Sequence, residues 1–356
     1  MKCKGIKCVA CAALLLPLLI ACSAKGEKGQ ALPKSKGLPF ELVMIIPEQI
    51  YGGELRDTLE SVLLGSTPVL PQHEPMFRLN VVYSDGNLTP WRTFRNRLIV
   101  RVNRRSERPS MGMAVDVMAR PQIEVKVEAA SAHELAVFIG QHRERLCDLF
   151  VENELEVGAA TLRGKYSKAT ALALQRLTTS MVERGLLSGK ARTICMPVGL
   201  KASKEGTDFL WTGTNLNDKD QNFVFYTYPW DGRPLSDGQF VAKRDSVLRA
   251  NIPGSRPDQW MQTARSSGGE GLEGEGAGHD IPLILSRTRT INNKVVQEVH
   301  GLWELHHGAL GGPFVSLVRI DTAACRVVVT EGFVYSPHSP KRNLMRELEA
   351  ALRTFK

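Results

Sequence analysis

The sequence predicts an α+β protein: antiparallel sheets with flanking amphipathic helices, and a C-terminal helix packed on a sheet of β-hairpins. Two patterns carry this. Short runs alternate apolar and polar residues, as half-buried strands do. Longer segments repeat apolar residues three and four apart behind helix-capping residues. Both patterns occur in each half of the 356-residue chain. Its 43% hydrophobic and 23% charged residues suit a packed core and exclude a disordered or fibrous chain.

From the amino end, residues 41–47 are a short apolar strand, after which Leu55, Leu59, Val62 and Leu63 share one helical face. Residues 77–83 read as a strand, and Thr89-Pro90 offers a cap and first-turn proline for a short helix. Residues 97–102 and 123–127 alternate as strands. Ser131-Ala-His-Glu134 is a capping box, and Leu135, Ile139, Leu146, Leu149 and Phe150 ride inward on the helix it opens. A second helix carries Leu162, Tyr166, Ala169, Ala173, Leu177 and Met181. The second half begins near Arg192, with strands at 194–198, 208–214 and 222–228. Ser236-Asp-Gly-Gln239 caps a helix stopped by Pro253-Gly254. Residues 266–280 are a Gly/Glu-rich loop. Two hairpins, 282–306 and 313–335, precede a helix capped by Ser339-Pro340, with Leu344, Leu348, Leu352 and Phe355 on one face. Residues 40–190 and 191–356 are therefore expected as two α+β halves of one contiguous unit.

Ahead of this body, Lys2, Lys4 and Lys7 precede an apolar run of 13 residues, 9–21. A membrane-spanning helix needs about 20, so residues 1–21 read as a removable secretory signal. The run ends Leu19-Ile20-Ala21-Cys22, which resembles the lipobox of bacterial lipoproteins. A small residue before the cut fits the peptidase, and the Cys22 thiol takes up lipid and becomes the new terminus. Acyl chains on Cys22 then hold the protein on a membrane. Cys3, Cys8 and Cys11 leave with the leader. Cys147, Cys195 and Cys325 remain, too few for a disulfide framework; three buried reduced thiols are expected, with one bridge and one free thiol as the alternative. Residues 22–39, rich in Lys, Gly, Ser and Pro, read as a flexible tether. Ser23 beside the lipidated cysteine resembles lipoproteins sorted to the outer membrane. Lys25 and Lys28 stand where a surface-export signal places acids. The expected address is the cell envelope, on the outer membrane and facing the periplasm.

The chemistry is harder to read. Gly269-Glu-Gly271-Leu-Glu-Gly274 is a nominal dinucleotide fingerprint, but no strand precedes it and its glutamates repel phosphate. Glu270, Glu273, Glu275 and Asp280 suit Ca²⁺ or are simply an acidic loop. His300 and His306 lie roughly 20 Å apart along a strand, too far to share an ion. Glu304 with His306 supplies only two ligands, so no metal and no cofactor is expected. A turn at Asn292-Asn293 sets Arg287 opposite Glu298, with Arg289 on the diagonal, as a solvated ion ladder. A turn at Thr322-Ala323 sets Arg319 against Arg326. Either Asp321 neutralises them or their paired guanidinium forks bind a small anion. Glu331 sits among Val327, Val329, Phe333 and Tyr335. It pairs there with Lys341, Arg342 or Arg346, or serves, like Glu304/His306, as an acid–base group of an envelope hydrolase.

The formal charge is +9, and removing the leader's three lysines leaves +6. Residues 91–108 hold seven arginines against Glu107, so their local +6 equals that whole excess. With Trp91 and Phe94 interleaved, Arg95, Arg97, Arg101, Arg104 and Arg105 are the expected contacts for a polyanion or acidic partner. In a secreted chain that partner is an envelope protein or anionic glycolipid and not nucleic acid. The alternative is a charge-guarded edge strand. A non-catalytic binding or assembly role is the leading expectation.

The tail Gly311-Gly-Pro-Phe-Val-Ser316, Arg319, Asp321, Arg326, Glu331-Gly-Phe-Val-Tyr-Ser-Pro337, Lys341-Arg342 and Arg346-Glu-Leu-Glu-Ala350 forms a distinctive pattern. With Arg244-Asp-Ser-Val-Leu-Arg249 and Asn251-Ile-Pro-Gly254, it resembles an uncharacterised family of Gram-negative envelope lipoproteins known only as a domain of unknown function. The resemblance spans residues 40–356. It implies a lipid-anchored, single-unit protein and brings no reaction, cofactor or catalytic residue.

Overall fold

The computed structural model describes residues 31–266 and 281–356. Cys22 and all but the first residue of the 266–280 loop lie outside them. The first sheet holds β1 (Glu41–Ile46), β2 (Arg78–Tyr83), β3 (Asn96–Val102), β4 (Ser110–Val115) and β5 (Ile123–Ala129), in the order β2-β1-β3-β5-β4. Four of these strands run parallel, and β4 alone is antiparallel to its neighbour. The α+β class stands, but this sheet is mixed where antiparallel pairing was expected. The reason is connectivity: helix α1 (Gly53–Leu63) separates β1 from β2 and returns the chain in the same direction. Leu42, Met44, Leu98, Val100, Val125 and Val127 pack toward α1, α2 (Ala132–Gln141) and α3 (Arg143–Gly164). On the opposite face, Val43, Ile45 and Ile99 are covered by Leu88, Trp91 and Phe94, which flank the 3-10 turn Thr89–Trp91. The single helix expected from Ser131 breaks at His142, although Ser131 does cap it by accepting from the Glu134 amide at 3.2 Å.

The large sheet is antiparallel. Its path runs β12 (Ile284–Ile291), β13 (Lys294–Leu305), β14 (Gly311–Asp321), β15 (Arg326–Tyr335), β8 (Asp220–Pro229), β7 (Phe209–Gly213), β6 (Ala202–Glu205), and β9 (Met261–Thr263) pairs with β13 off this path. Two short strands, β10 (Arg265–Ser266) and β11 (Ile281–Pro282), pair with each other. Residues 194–198 form no strand, contrary to expectation, and run as a loop. Strand alternation gives the sheet two packed faces. Phe223, Phe225, Val315, Leu317 and Val328 join the core that holds α6 (Arg342–Leu352) and α4 (Lys168–Glu183). Val224, Tyr226, Val318, Val327 and Val329 pack with Phe240, Val241 and Leu248 of α5 (Asp237–Asn251). Helix α6 lies close on β15: a Cβ on Gly332 would stand 2.9 Å from Leu348 Cβ.

The first hairpin turns at Asn292-Asn293, both at positive φ (51° and 59°), as expected. The second closes over the four residues 322–325, because Asp321 and not Arg319 stands opposite Arg326. Ser339 is not the cap of α6; it donates to Asp218. Instead the Glu74 carboxylate accepts from the amides of Lys341 (2.6 Å) and Arg342 (2.9 Å).

Helix α3 bonds to both sheets. Glu154 accepts from Asn96 at 2.5 Å and Arg95 at 3.0 Å, while Asp148 accepts from Arg289 at 2.9 Å. It also abuts α6 at Gly158, where a Cβ would stand 2.9 Å from Ala350 Cβ. Residues Pro33–Lys356 form one compact unit. Lys34 bridges to Arg120 and Lys36 to Phe94, at the amino ends of β5 and β3. Among the described residues no helix is long and apolar enough to cross a membrane.

Candidate functional site

The five arginines of residues 95–105 do not act together. Arg95 donates to Glu154, and Arg97 is buried against Glu124. Burial pulls the Arg97 guanidinium below its usual range despite that carboxylate. Burial likewise raises Glu154, with Arg95 and Asn96 opposing it. Both pairs fasten the sheet and do not form a binding surface. Arg101, Arg104 and Arg105 are exposed, at and just beyond the carboxyl end of β3, and none forms an ion pair within 4.0 Å among the described residues. Because β3 is central, the charge-guarded-edge alternative fails; the sheet's edges are β2 and β4.

Of the exposed arginines, Arg101 borders a cleft of about 450 Å³ that is also lined by Ile45, Leu88, Arg97, Ile99, Ser84, Asn103 and Glu128. It lies at the carboxyl ends of β1 and β3. The chain leaves β1 toward β2 on one side and later enters β3 on the other. In open parallel sheets that switch in direction opens a crevice beyond the strand ends, where ligands are bound. Glu128 accepts from Ser106 at 2.8 Å and Asn103 at 3.0 Å; these bonds, with the Arg101 charge, hold its carboxyl below the usual range.

The other expected sites separate. Glu331 is fully buried, but its partner is Arg244 of α5, with two contacts of 2.9 and 2.8 Å, and not a residue of the last helix. Alternation points Glu331 away from α6. Ser316 donates to the same carboxylate at 2.7 Å, and Arg244 also bonds Thr263 at 3.1 Å. A carboxylate so enclosed is out of reach of a substrate. Strand β13 ends at Leu305, so His306 leaves the strand and stacks on Trp260, while Glu304 accepts from Gln262. Arg326 is buried and bonds Thr227 and Asp208; Asp321 binds Arg192 and not the two arginines. Arg319 donates to Thr330 at 3.1 Å and lies 4.9 Å over the Phe355 ring, and burial lowers it to about 10.

Arg287 does stand opposite Glu298, 2.8 Å apart; Glu298 is buried and not solvated, while Arg287 and Arg289 are half-buried. His300 continues it, 3.1 Å from Glu298 and 3.8 Å from Glu349, which Arg346 binds at 2.6 Å. Helix α6 covers that strand face. This cluster, whose α6 members the sequence did not connect to β13, borders a cavity of about 40 Å³, large enough for a water-sized molecule. Every carboxylate in it has a cationic partner. Burial opposes ionisation of Glu298, yet the His300 bond and charge and the Arg287 charge hold it well below its ordinary range. Among the described residues no His/Cys/Asp/Glu cluster could hold a metal ion. The three thiols are free: Cys147 is buried, Cys195 half-buried and Cys325 exposed, which corrects the expectation that all are buried.

These features define an α+β protein with two large sheets, internal ion pairs and a cleft bordered by Arg101. Residues 190–354 match the family described as a domain of unknown function (DUF4837), and residues 35–163 match a second domain of unknown function (DUF8532). The expected resemblance to an uncharacterised family is thus borne out, in two adjoining models and not one. No curated protein matches the chain.

Proposed function

We propose that this chain is a non-catalytic, lipid-anchored envelope protein, held through Cys22 on the outer membrane, which binds an acidic protein partner in the periplasm. The observation that carries the reading is the placement of Arg101, exposed on the rim of the cleft, with Arg104 and Arg105 exposed in the loop that follows it; among the described residues none of the three forms an ion pair within 4.0 Å. Guanidinium groups left in water at a crevice attract carboxylates over several ångströms and release them as salt rises. Lys34 and Lys36 enter the body at the opposite ends of β3 and β5, roughly 20 Å away along the strands. The arginines therefore lie at the opposite end of these strands from Lys34 and Lys36.

The test is binding of the full chain to poly-glutamate, a model acidic chain, at low and high salt. Binding at low salt that Arg101→Glu with Arg104→Glu abolishes supports the reading, and binding unchanged by that reversal overturns it. For the anchor, Cys22→Ser is expected to move the protein from the membrane to the soluble fraction. Retention on the membrane would refute lipidation at that residue.

A further inference from the structure

We propose that β4 is a strand-addition site, whose open edge takes an extended, amphipathic acidic segment of a partner protein as one more strand of the first sheet. The proposal rests on the arginine reading above for the partner's charge, and on separate observations for its conformation.

Among the described residues, strand β4 pairs with β5 and with no other strand, ending the sheet. Natural edges are protected by charge, proline or cover. The edge strands β2, β6 and β12 each carry charged residues, whereas β4 reads Ser-Met-Gly-Met-Ala-Val and carries none. Met113, Val115, Val117 and Met118 are 55, 60, 39 and 42% exposed, the densest run of large exposed apolar residues in the described chain. Met111, Met113 and Val115 stand opposite Val127, Val125 and Ile123, which belong to the core under the helices. The apolar layer of the sheet thus continues one strand beyond its cover. A further strand with apolar residues at alternate positions would sit beside Met113 and Val115 and satisfy the unpaired main-chain groups of β4.

Charge selects the occupant. The loop entering β4 carries Arg104, Arg105 and Arg108, all exposed and without ion pairs. A second copy of this chain, paired antiparallel on β4, would set those arginines against the 116–120 turn, whose acid, Asp116, is already held by Arg120 at 3.4 Å. A foreign segment with free carboxylates at its end complements the loop; this chain's own edge does not.

The probe is a synthetic peptide of alternating valine and threonine flanked by glutamates, titrated into the full chain. Controls are the same peptide N-methylated at alternate residues, and poly-glutamate. Strand addition predicts peptide binding about ten-fold tighter than either control, a loss of order one or two hydrogen bonds. It also predicts slowed amide exchange in residues 110–115. Met113→Glu, a substitution at an exposed site, should weaken the peptide by a similar factor and leave poly-glutamate binding unchanged. If the N-methylated peptide or poly-glutamate binds as tightly as the peptide, strand addition is wrong while the arginine reading stands. Protection outside β4 overturns it too, as does a dimer of the free chain that Met113→Glu dissolves. If neither the peptide nor poly-glutamate binds, both readings fall.

Discussion

Glu331 has no contact with water, and its charge is tolerable only because Arg244 meets both of its oxygens and Ser316 donates a third bond. Removing one partner leaves the other charged and dry. Arg244→Met is therefore expected to cost about 3–5 kcal/mol, and adding Glu331→Leu to recover most of it, measured by denaturant unfolding. A double variant as unstable as the single one would refute the pairing. Glu298 gives the pH dependence. Its folded pKa lies below the ordinary value of 4.5, so its stabilisation is present in full above that value and is lost as pH falls through the folded pKa. Replacing it by Gln should flatten the acid limb of the stability profile. The sequence identified Glu331 as flanked by apolar residues, and placed Arg287 opposite Glu298. It could not show which helix covers which strand face, so it assigned Glu331 to the wrong cation and left Glu298 in solvent.

Packing between elements depends on small features that the strand and helix periods do not encode. Gly158 sets the approach of α3 to α6. Gly158→Val would force the helices apart and is expected to destabilise by about 1–3 kcal/mol, read as a lowered Tm. Glu74 reaches two free amides of α6 from far away in sequence, and Glu74→Ala should cost about 1 kcal/mol, as lost helix caps do. Local capping chemistry was legible at Ser131 and Ser236, where cap and helix are neighbours, and misleading at Ser339, where the cap comes from another segment. Strand β4 was illegible for a related reason: its Met and Val residues alternate with Ser, Gly and Ala, a weaker pattern than apolar against charged residues. The arginine segment was visible as composition. Its division into half-buried Arg95, buried Arg97 and exposed Arg101, Arg104 and Arg105 depends on the partners Glu154 and Glu124 supplied by α3 and β5, which only the fold reveals.

Across the whole molecule, one helix serves two sheets. With α3 tied to Asn96 on one side and Arg289 on the other, neither sheet opens without stripping a wall from the other. Calorimetry and near-UV circular dichroism should therefore report one coincident transition; two would mean that the halves unfold separately. Thiol chemistry offers a second view. Burial pushes the Cys147 thiol up to about 12, whereas Cys325 is exposed, so a thiol reagent at neutral pH should modify Cys325 in the folded chain and reach Cys147 only after denaturation. The same shared helix constrains the order of assembly. A chain emerging amino end first completes its first sheet while Arg289, 141 residues beyond Asp148, has yet to appear. During that interval Asp148 and Glu152 stay solvated, as carboxylates do at no cost. An apolar surface in their place would have waited sticky. The polar side of α3 acts as a latch, harmless while open, that closes when its late partner arrives.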